Sequence, residues 1–521
     1  MKNLREVLEE SAARSPGKAF LVFRDQELTY GDFARAVQEV ACGFQALGLR
    51  KGDKVALLLP NGFEFPQCWL ALNTIGAVMV PVNNRFVEDE IAYVLKHSDA
   101  RAVVTSGHYL ETILKLRADL PLLEHVVAVE DSGPAGVLPL PALRREGGEP
   151  EKVPLAPSDD AVILYTSGTT GKPKGCLAAH EYFVDLAATQ GEVFQLTGED
   201  RVYTAQPFYY MDPQWNTVMA LLHNATLVIA EKFSTSRFWD DVIRNRVTAF
   251  YCIGSMTSFL YNMPPSPRDR SHGVRIVQTS GIAPSIHREW EQRFGVPVLE
   301  AYGSTETAAD MAVCLGTDRK AGTGCIGKPV AYREAKVFDE QGREVPRGAV
   351  GEIVLKRGRG MMKGYYKDPA ATEQAFEGGW FHTGDLGYVD ADGDFHFSGR
   401  KKDIIRRAGE NISAASIEHI LITHPKILDA AALPVPDKVR GEEVKVYVVP
   451  RPGEVLTAEE VVAFCEASMA EYKVPRYVEM RETLPKTASE RVQKEKLKAE
   501  KADLAAGCYD RMAAKGPAAA S

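Results

Sequence analysis

The chain is poor in the features that mark several large protein classes. Its eight cysteines, Cys42, Cys68, Cys176, Cys252, Cys314, Cys325, Cys465 and Cys508, are scattered over 521 residues, and none forms a CxxC pair. That is no disulfide scaffold, and reduced, mostly buried thiols are expected. Basic charge is in deficit: 62 Lys and Arg against 70 Asp and Glu give a net charge of −8. A nucleic-acid binder carries the opposite field. No run of about 18 apolar residues occurs, so no membrane-spanning helix is expected. The start, Met1-Lys2-Asn3-Leu4-Arg5-Glu6, enters an acidic amphipathic helix pattern unlike a secretory leader, and a cytoplasmic location is expected. No internal repeat is visible.

What is present is ordinary globular composition, 45% hydrophobic and 25% charged. At roughly 150 residues per domain the length corresponds to three or four folding units. Apolar residues at helical spacing cover residues 31 to 49 and stop at Gly48. A short buried strand follows at 54–59, with a turn at Asn61-Gly62 and a helix through Phe65 and Leu72. Strand 77–82, helix 88–96 and strand 101–105 continue the alternation. It resumes after a Pro/Gly-rich segment, with strands at 161–166, 225–230, 249–253 and 274–279. This is the signature of α/β layers with largely parallel sheets. From about Gly324 the texture shifts to short strands such as 352–356 and 387–389 between Gly-rich turns, a small β-rich subdomain. A polar stretch, Arg400-Lys401-Lys402-Asp403, separates this from an α+β unit with elements at 416–423, 427–434, 444–449 and 458–469. The expected division is an N-terminal domain over 1–400, its β-rich part about 324–400, a mobile C-terminal domain over 403–510, and a flexible tail at 511–521.

The densest chemical signal is Tyr165-Thr166-Ser167-Gly168-Thr169-Thr170-Gly171-Lys172-Pro173-Lys174-Gly175, directly after an apolar strand. Glycines let the backbone curl with N–H groups inward, and hydroxyls and lysines add donors, as a polyphosphate requires. It is not a Walker A loop, because Pro173 follows Lys172 where Ser or Thr is needed. A mobile polar loop without chemistry has the same composition. A second candidate, Ala301-Tyr302-Gly303-Ser304-Thr305-Glu306-Thr307, sets a carboxylate beside hydroxyls at a strand end, suited to Mg²⁺ on a phosphate. The same residues also read as a capped helix start. In His382-Thr383-Gly384-Asp385, Asp385 suits a sugar diol, whereas Asp392-Gly393 reads as a hairpin turn. The basic run from Arg400 through Arg406 and Arg407 is either an anion site or a solvated face.

In this order and over essentially the whole chain, these motifs resemble the AMP-forming adenylating enzymes, the superfamily of acyl-CoA synthetases, adenylation domains and luciferases. The central region 206–263, with Met211-Asp212-Pro213-Gln214, leans toward crotonobetaine/carnitine-CoA ligases. The resemblance implies an ATP-dependent, AMP-forming acid–thiol ligase using Mg²⁺ and coenzyme A on a small carboxylic acid. It also makes a homodimer plausible. It implies that Thr166, Ser167, Gly168, Thr169, Thr170, Gly171 and Lys174 embrace the β- and γ-phosphates. Gly281, Ile282 and Ala283 would line the base pocket, Tyr302 with Gly303 would meet adenine, and Thr305 the α-phosphate. Glu306 would hold Mg²⁺, Asp385 and Arg400 the ribose, Lys402 the hinge, and Gly409 the pantetheine path. The acyl pocket would draw on Tyr209, Asp212, Trp215, Ser280 and Gly281. Asp212 either faces a cationic substrate or lies on a solvated loop. One departure stands out: Glu490-Arg491 occupies the place of the family's Gly-Lys pair, whose lysine catalyses adenylation. Arg491 keeps the charge but is not interchangeable with lysine. Three outcomes are open: Arg491 serves, Lys494 or Lys486 reaches in, or adenylation is altered. The alternative functions are loading of a carrier protein in trans and non-enzymatic nucleotide binding.

Overall fold

The computed structural model describes residues 2–130, 133–166, 173–316, 319–408, 410–487 and 492–514. Two large sheets sandwich a layer of helices. The first runs Ala335–Phe338, Gly351–Lys356, Trp380–Val389, Phe395–Arg400, Cys325–Pro329, Ala308–Ala312, Val298–Ser304, Ile276–Ser280, Ala249–Ile253, Arg201–Thr204, Thr226–Ile229, Ala19–Phe23 and Gln26–Thr29. The second runs Gly364–Tyr365, Lys174–Ala179, Asp160–Thr166, Val78–Pro81, Lys54–Leu58, Ala100–Thr105, His125–Ala128 and Val137–Pro139. The apolar runs that predicted strands are the parallel centres of these sheets, buried on both faces.

One hydrophobic core joins the two sheets. Val55 and Leu57 from one and Ile276 and Leu299 from the other meet across helices Leu4–Arg14, Tyr30–Ala46, Glu64–Thr74, His180–Val193 and Met211–His223. Trp69 and Tyr182 are fully buried there. Separate clusters pack helices Phe238–Arg244, Gly254–Tyr261 and Pro284–Phe294 on the outer face of the first sheet, and Glu88–His97 and Gly107–Leu116 on that of the second. The result is five alternating layers.

The β-rich stretch does not stand apart. Cys325–Pro329 pairs with Ala308–Ala312, so the strands after Gly324 extend the first sheet. The strand expected at 387–389 is the end of a longer one, Trp380–Val389, with a bulge at Leu386/Gly387. The C-terminal unit has its own core and sheet, built on the long hairpin of Ile427–Asp437 with Gly441–Pro450. It is joined through the one-turn helix Lys401–Asp403. It touches the larger unit where Arg451 donates to Asn262 Oδ1 (2.6 Å) and where the Lys486 ammonium lies 5.0 Å over the Phe259 ring. Among the described residues no helix is long and apolar enough to cross a membrane.

Candidate active site

The site lies at the carboxyl ends of the first sheet's parallel strands, where α/β proteins gather ligand-binding loops. Strand Val298–Ser304 leaves the parallel region and turns back antiparallel onto Ala308–Ala312. The segment Thr305-Glu306-Thr307 is therefore the tip of a hairpin, not a helix start. The turn is tight: a Cβ on Gly303 would meet Ala308 O at 1.9 Å, and Ala308 itself has φ +62°. A left-handed alanine costs about 1 kcal/mol and persists only where its surroundings dictate it.

Those surroundings are specific. Three successive carbonyls at the tip are each held by a different part of the chain. Tyr182 OH donates to Thr305 O (2.9 Å), Met362 N–H to Glu306 O (2.8 Å), and Arg333 Nη2 to Thr307 O (2.8 Å). Arg333 forms a wholly buried ion pair with Asp310 (2.8 Å), and Thr307 Oγ1 donates to the other Asp310 oxygen. Burial pushes the Asp310 carboxyl up to about 7 in spite of Arg333.

The Glu306 carboxylate accepts a hydrogen bond from Tyr365 OH (3.1 Å), and the Lys174 ammonium sits 4.8 Å over the Tyr365 ring. One ring thus connects the lysine that ends the phosphate-loop motif to the hairpin carboxylate. Lys174 opens its strand opposite Thr166, whose hydroxyl contacts Lys174 O at 3.5 Å. Ser167, Gly168, Thr169, Thr170 and Gly171 lie outside the described residues. Glu306 is partly buried and forms no ion pair with a lysine or arginine among the described residues. A hard oxygen donor left free of ammonium partners fits Mg²⁺.

Beside this, Tyr302 OH donates to Asp385 Oδ2 (2.8 Å) and Arg400 Nε lies 3.2 Å from Asp385 Oδ1. Asp385 and Arg400 are directly opposed across neighbouring strands, and the Thr383 hydroxyl accepts from Asp385 N–H (3.0 Å). An ionised carboxylate only accepts hydrogen bonds, which is what the two hydroxyls of a sugar diol require of a partner. Gly281, at φ +89°, makes the turn after strand Ile276–Ser280, and its N–H donates to Glu300 Oε2 (3.1 Å). Burial raises the Glu300 carboxyl to about 8 against the pull of the Gly281 and Ile282 amides. The Ile282 and Ala283 side chains turn into the core, so this loop offers its backbone rather than side chains to a base.

The expected acyl-pocket residues gather around helix Met211–His223. Asp212 is in its first turn, not on a solvated loop. It keeps some accessible surface, but packed atoms crowd its carboxyl, and burial lifts it to about 6. Its side-chain partner is Trp215 Nε1 (3.4 Å), and no lysine or arginine pairs with it among the described residues. The Trp215 ring meets Tyr251 edge-on at 5.3 Å, and Tyr251 OH donates to Ser280 Oγ (3.1 Å). Tyr209 is buried against Tyr210. Both amide ends of buried Gln206 and Gln278 lack partners among the described residues. Tyr182 OH also reaches Met211 Sδ (3.5 Å), bridging this cluster to Thr305.

Other expected groups lie elsewhere. Arg491 and Gly409 fall outside the described residues. Lys494 pairs with Glu418 (2.7 Å) and approaches Asp403 beside the hinge (3.9 Å), and Lys486 pairs with Asp429 (2.6 Å). Lys402 is exposed in the one-turn helix. The basic run divides: Arg407 is buried against Glu443, whereas Arg406 is exposed, so it forms no single anion site. The Asp390, Asp392 and Asp394 carboxylates converge at a hairpin turn, where the Lys320 ammonium contacts all three. Tyr365, Tyr182, Glu300, Tyr251 and the Asp310–Arg333 pair were missed from sequence. Gly364-Tyr365-Tyr366, two aromatics after a glycine, was the one available cue.

The chain matches the AMP-binding enzyme family over residues 8–366 and the AMP-binding enzyme C-terminal domain over 416–491. It is 36% identical over 513 residues to a crotonobetaine/carnitine–CoA ligase of Citrobacter koseri, covering 95% of this chain and 99% of that one. Among solved structures it resembles the anthranilate CoA ligase AuaEII in complex with anthranoyl-AMP, with TM-score 0.89, 26% identity, and 96% and 97% of the two chains covered. It also resembles ATP-bound MatB from Rhodopseudomonas palustris, with TM-score 0.85, 26% identity, and 96% and 99% covered.

Proposed function

The chain belongs to the AMP-binding enzyme family, the AMP-forming acyl-CoA synthetases, and on that premise we propose that it couples a small carboxylic acid to coenzyme A at the site described above. It is an ATP-dependent acid–thiol ligase that activates its acid as an acyl-adenylate. The observation that carries the residue assignment is the hairpin from Tyr302 to Glu306. It joins the Asp385–Arg400 pair at one end to Glu306, Tyr365 and Lys174 at the other. That order matches a nucleotide laid from ribose to triphosphate.

In the first half-reaction an oxygen of the acid attacks the α-phosphorus, and the bond to the β-phosphate oxygen breaks to release pyrophosphate. Attack of one anion on another is opposed by charge, so fixed positive groups dominate the catalysis. Lys174 and the Thr166–Gly171 backbone would bind the outer phosphates, Thr305 the α-phosphate, and Asp385 the ribose. Mg²⁺ held by Glu306 would neutralise triphosphate charge. In the second half-reaction the CoA thiol sulfur attacks the acyl carbon, its proton goes to solvent, and AMP leaves with the carboxyl oxygen. Gly409 would line that path after the C-terminal domain turns about Lys402, so that one pocket serves both steps.

Arg491 would supply the positive charge for adenylation. Lys494 and Lys486 each already pair with a carboxylate. Lys486 also bridges Val492 antiparallel and places its ammonium over the Phe259 ring.

The acid itself would carry a cation. A crowded carboxylate, Asp212, has no cationic partner among the described residues and lies beside the Trp215 and Tyr251 rings, the surroundings that receive a quaternary ammonium. The relatives named for crotonobetaine and carnitine agree with this. The test is AMP and pyrophosphate release over trimethylammonium, fatty, hydroxy and benzoic acids, with and without CoA. CoA-dependent turnover selective for the cationic acids supports the reading. Preference for a neutral acid removes the Asp212 assignment, carrier loading without CoA turnover removes the acceptor, and no AMP from any acid removes catalysis.

A further inference from the structure

We infer that Tyr365 is a positioning residue for the metal-binding carboxylate. Its hydroxyl fixes Glu306 for the cation while its ring seats the Lys174 ammonium, so one side chain aligns metal and triphosphate. This rests on the reading that Glu306 holds the metal.

The geometry is compact. Tyr365 OH donates to Glu306 Oε1 at 3.1 Å, and Lys174 Nζ stands 4.8 Å from the centre of the same ring. Tyr365 is held independently of both groups. It lies on the two-residue edge strand Gly364–Tyr365, opposite Cys176 on the strand that begins with Lys174. Its N–H donates to Thr372 Oγ1 (2.9 Å), and the preceding loop supplies Met362 N–H to Glu306 O. The loop therefore fixes both the backbone and the carboxylate of Glu306.

The chemistry explains why a tyrosine suits this place. A metal-ligating carboxylate is oriented by a second hydrogen bond on the oxygen not engaged with the metal, and loss of such a partner costs about 10- to 100-fold in metal affinity. A lysine or arginine donating to Glu306 would compete with the cation for its charge. A phenol donates a neutral hydrogen bond and leaves the carboxylate's charge available. A phenol keeps its proton at neutral pH and so stays a donor. Its ring face attracts Lys174 without an ion pair, which keeps the ammonium charge for phosphate.

The test measures the thermodynamic coupling between metal and nucleotide in the full-length protein. Calorimetry gives the dissociation constant of α,β-methylene-ATP with Mn²⁺ and with EDTA, and the ratio of the two is the metal's contribution. In Tyr365→Phe the ring survives and the hydroxyl is lost. The ratio should fall about 10- to 100-fold with metal-free binding unchanged. Tyr365→Leu should show the same fall and also weaken metal-free binding by about threefold or more, because Lys174 loses its ring. The apparent Mg²⁺ requirement of AMP formation should rise in Tyr365→Phe while kcat at saturating Mg²⁺ is largely kept. A wild-type ratio in Tyr365→Phe, with the ratio lost in Glu306→Gln, overturns the role of Tyr365 and leaves that of Glu306. A wild-type ratio in Glu306→Gln overturns the metal assignment beneath it. Equal weakening with and without metal in Tyr365→Phe marks a merely structural residue and also overturns the inference.

Discussion

Replacing Asp212 by asparagine should make the protein more stable and a poorer enzyme. The carboxyl sits in the first turn of helix Met211–His223 with one indole donor and no cationic partner among the described residues. Burial raises it from 3.8 to about 6. A carboxyl raised in the folded state holds its proton there when the unfolded chain has already released it. Stability therefore falls as pH rises from about 4 to about 6, and the loss is complete above that. A shift of roughly two units corresponds to about 3 kcal/mol against the folded state at neutral pH. Asparagine is nearly isosteric and removes the penalty. The Tm of the ligand-free Asp212→Asn protein should exceed that of the wild type by a few degrees at pH 7.5, with the difference vanishing near pH 4. Binding should move oppositely. Affinity for a trimethylammonium acid should increase in the wild type as pH rises through about 6, and should be low and flat in the variant. Differential scanning fluorimetry across pH and calorimetric titration with the acid give both readouts. A Tm difference that is negative, or independent of pH, would refute the account of Asp212 as an uncompensated charge awaiting a cation.

Four further outcomes are expected. Arg333→Leu leaves Asp310 as an unpaired buried acid and should cost about 3–5 kcal/mol, measured as lost thermal stability, with the Thr305–Thr307 tip released and ATP binding weakened. Asp385→Asn keeps an acceptor for Tyr302 but loses the charge facing Arg400. It should raise the dissociation constant of AMP by about tenfold or more, measured by titration, with little change in Tm. Arg491→Ala should slow acyl-adenylate formation by at least about 100-fold in pyrophosphate release while leaving thioester formation from supplied acyl-adenylate near normal. In Lys494→Ala adenylation should survive, because that lysine is tied to Glu418. Loss of adenylation there would transfer the role from Arg491.

Much of the fold was legible because its parallel strands are buried on both faces and therefore written as continuous apolar runs. The stretches at 54–59, 77–82 and 249–253 hold few other solutions at that length. What escaped was antiparallel and edge structure. Trp380–Val389 alternates partly buried and buried residues through Gly384 and Gly387, so only its last three residues read as strand. The continuity of the β-rich part with the first sheet rests on Met311 facing Pro329 and Ala312 facing Lys328, a pairing across a loop with no local signature.

The site was legible in the same uneven way, and for a related reason. Groups proposed to touch a ligand sit on short Gly/Ser/Thr-rich turns whose composition betrays backbone curvature, and these could be read one segment at a time. Groups that aim them come from far along the chain: Tyr365 is 59 residues from Glu306, and Tyr182 is 123 from Thr305. Each looks like an ordinary core aromatic until the fold brings it to the hairpin. Asp212 shows the converse. Read locally, an acid after Tyr210-Met211 either faces a cationic substrate or lies on a solvated loop. Only packing against Trp215, with Tyr251 beyond it, gives it a desolvation cost and hence a reason to prefer a cation. A local motif can therefore assign the nucleotide chemistry. The proposed choice of acid rests on the desolvation of a single carboxylate, a quantity that exists only in the folded chain.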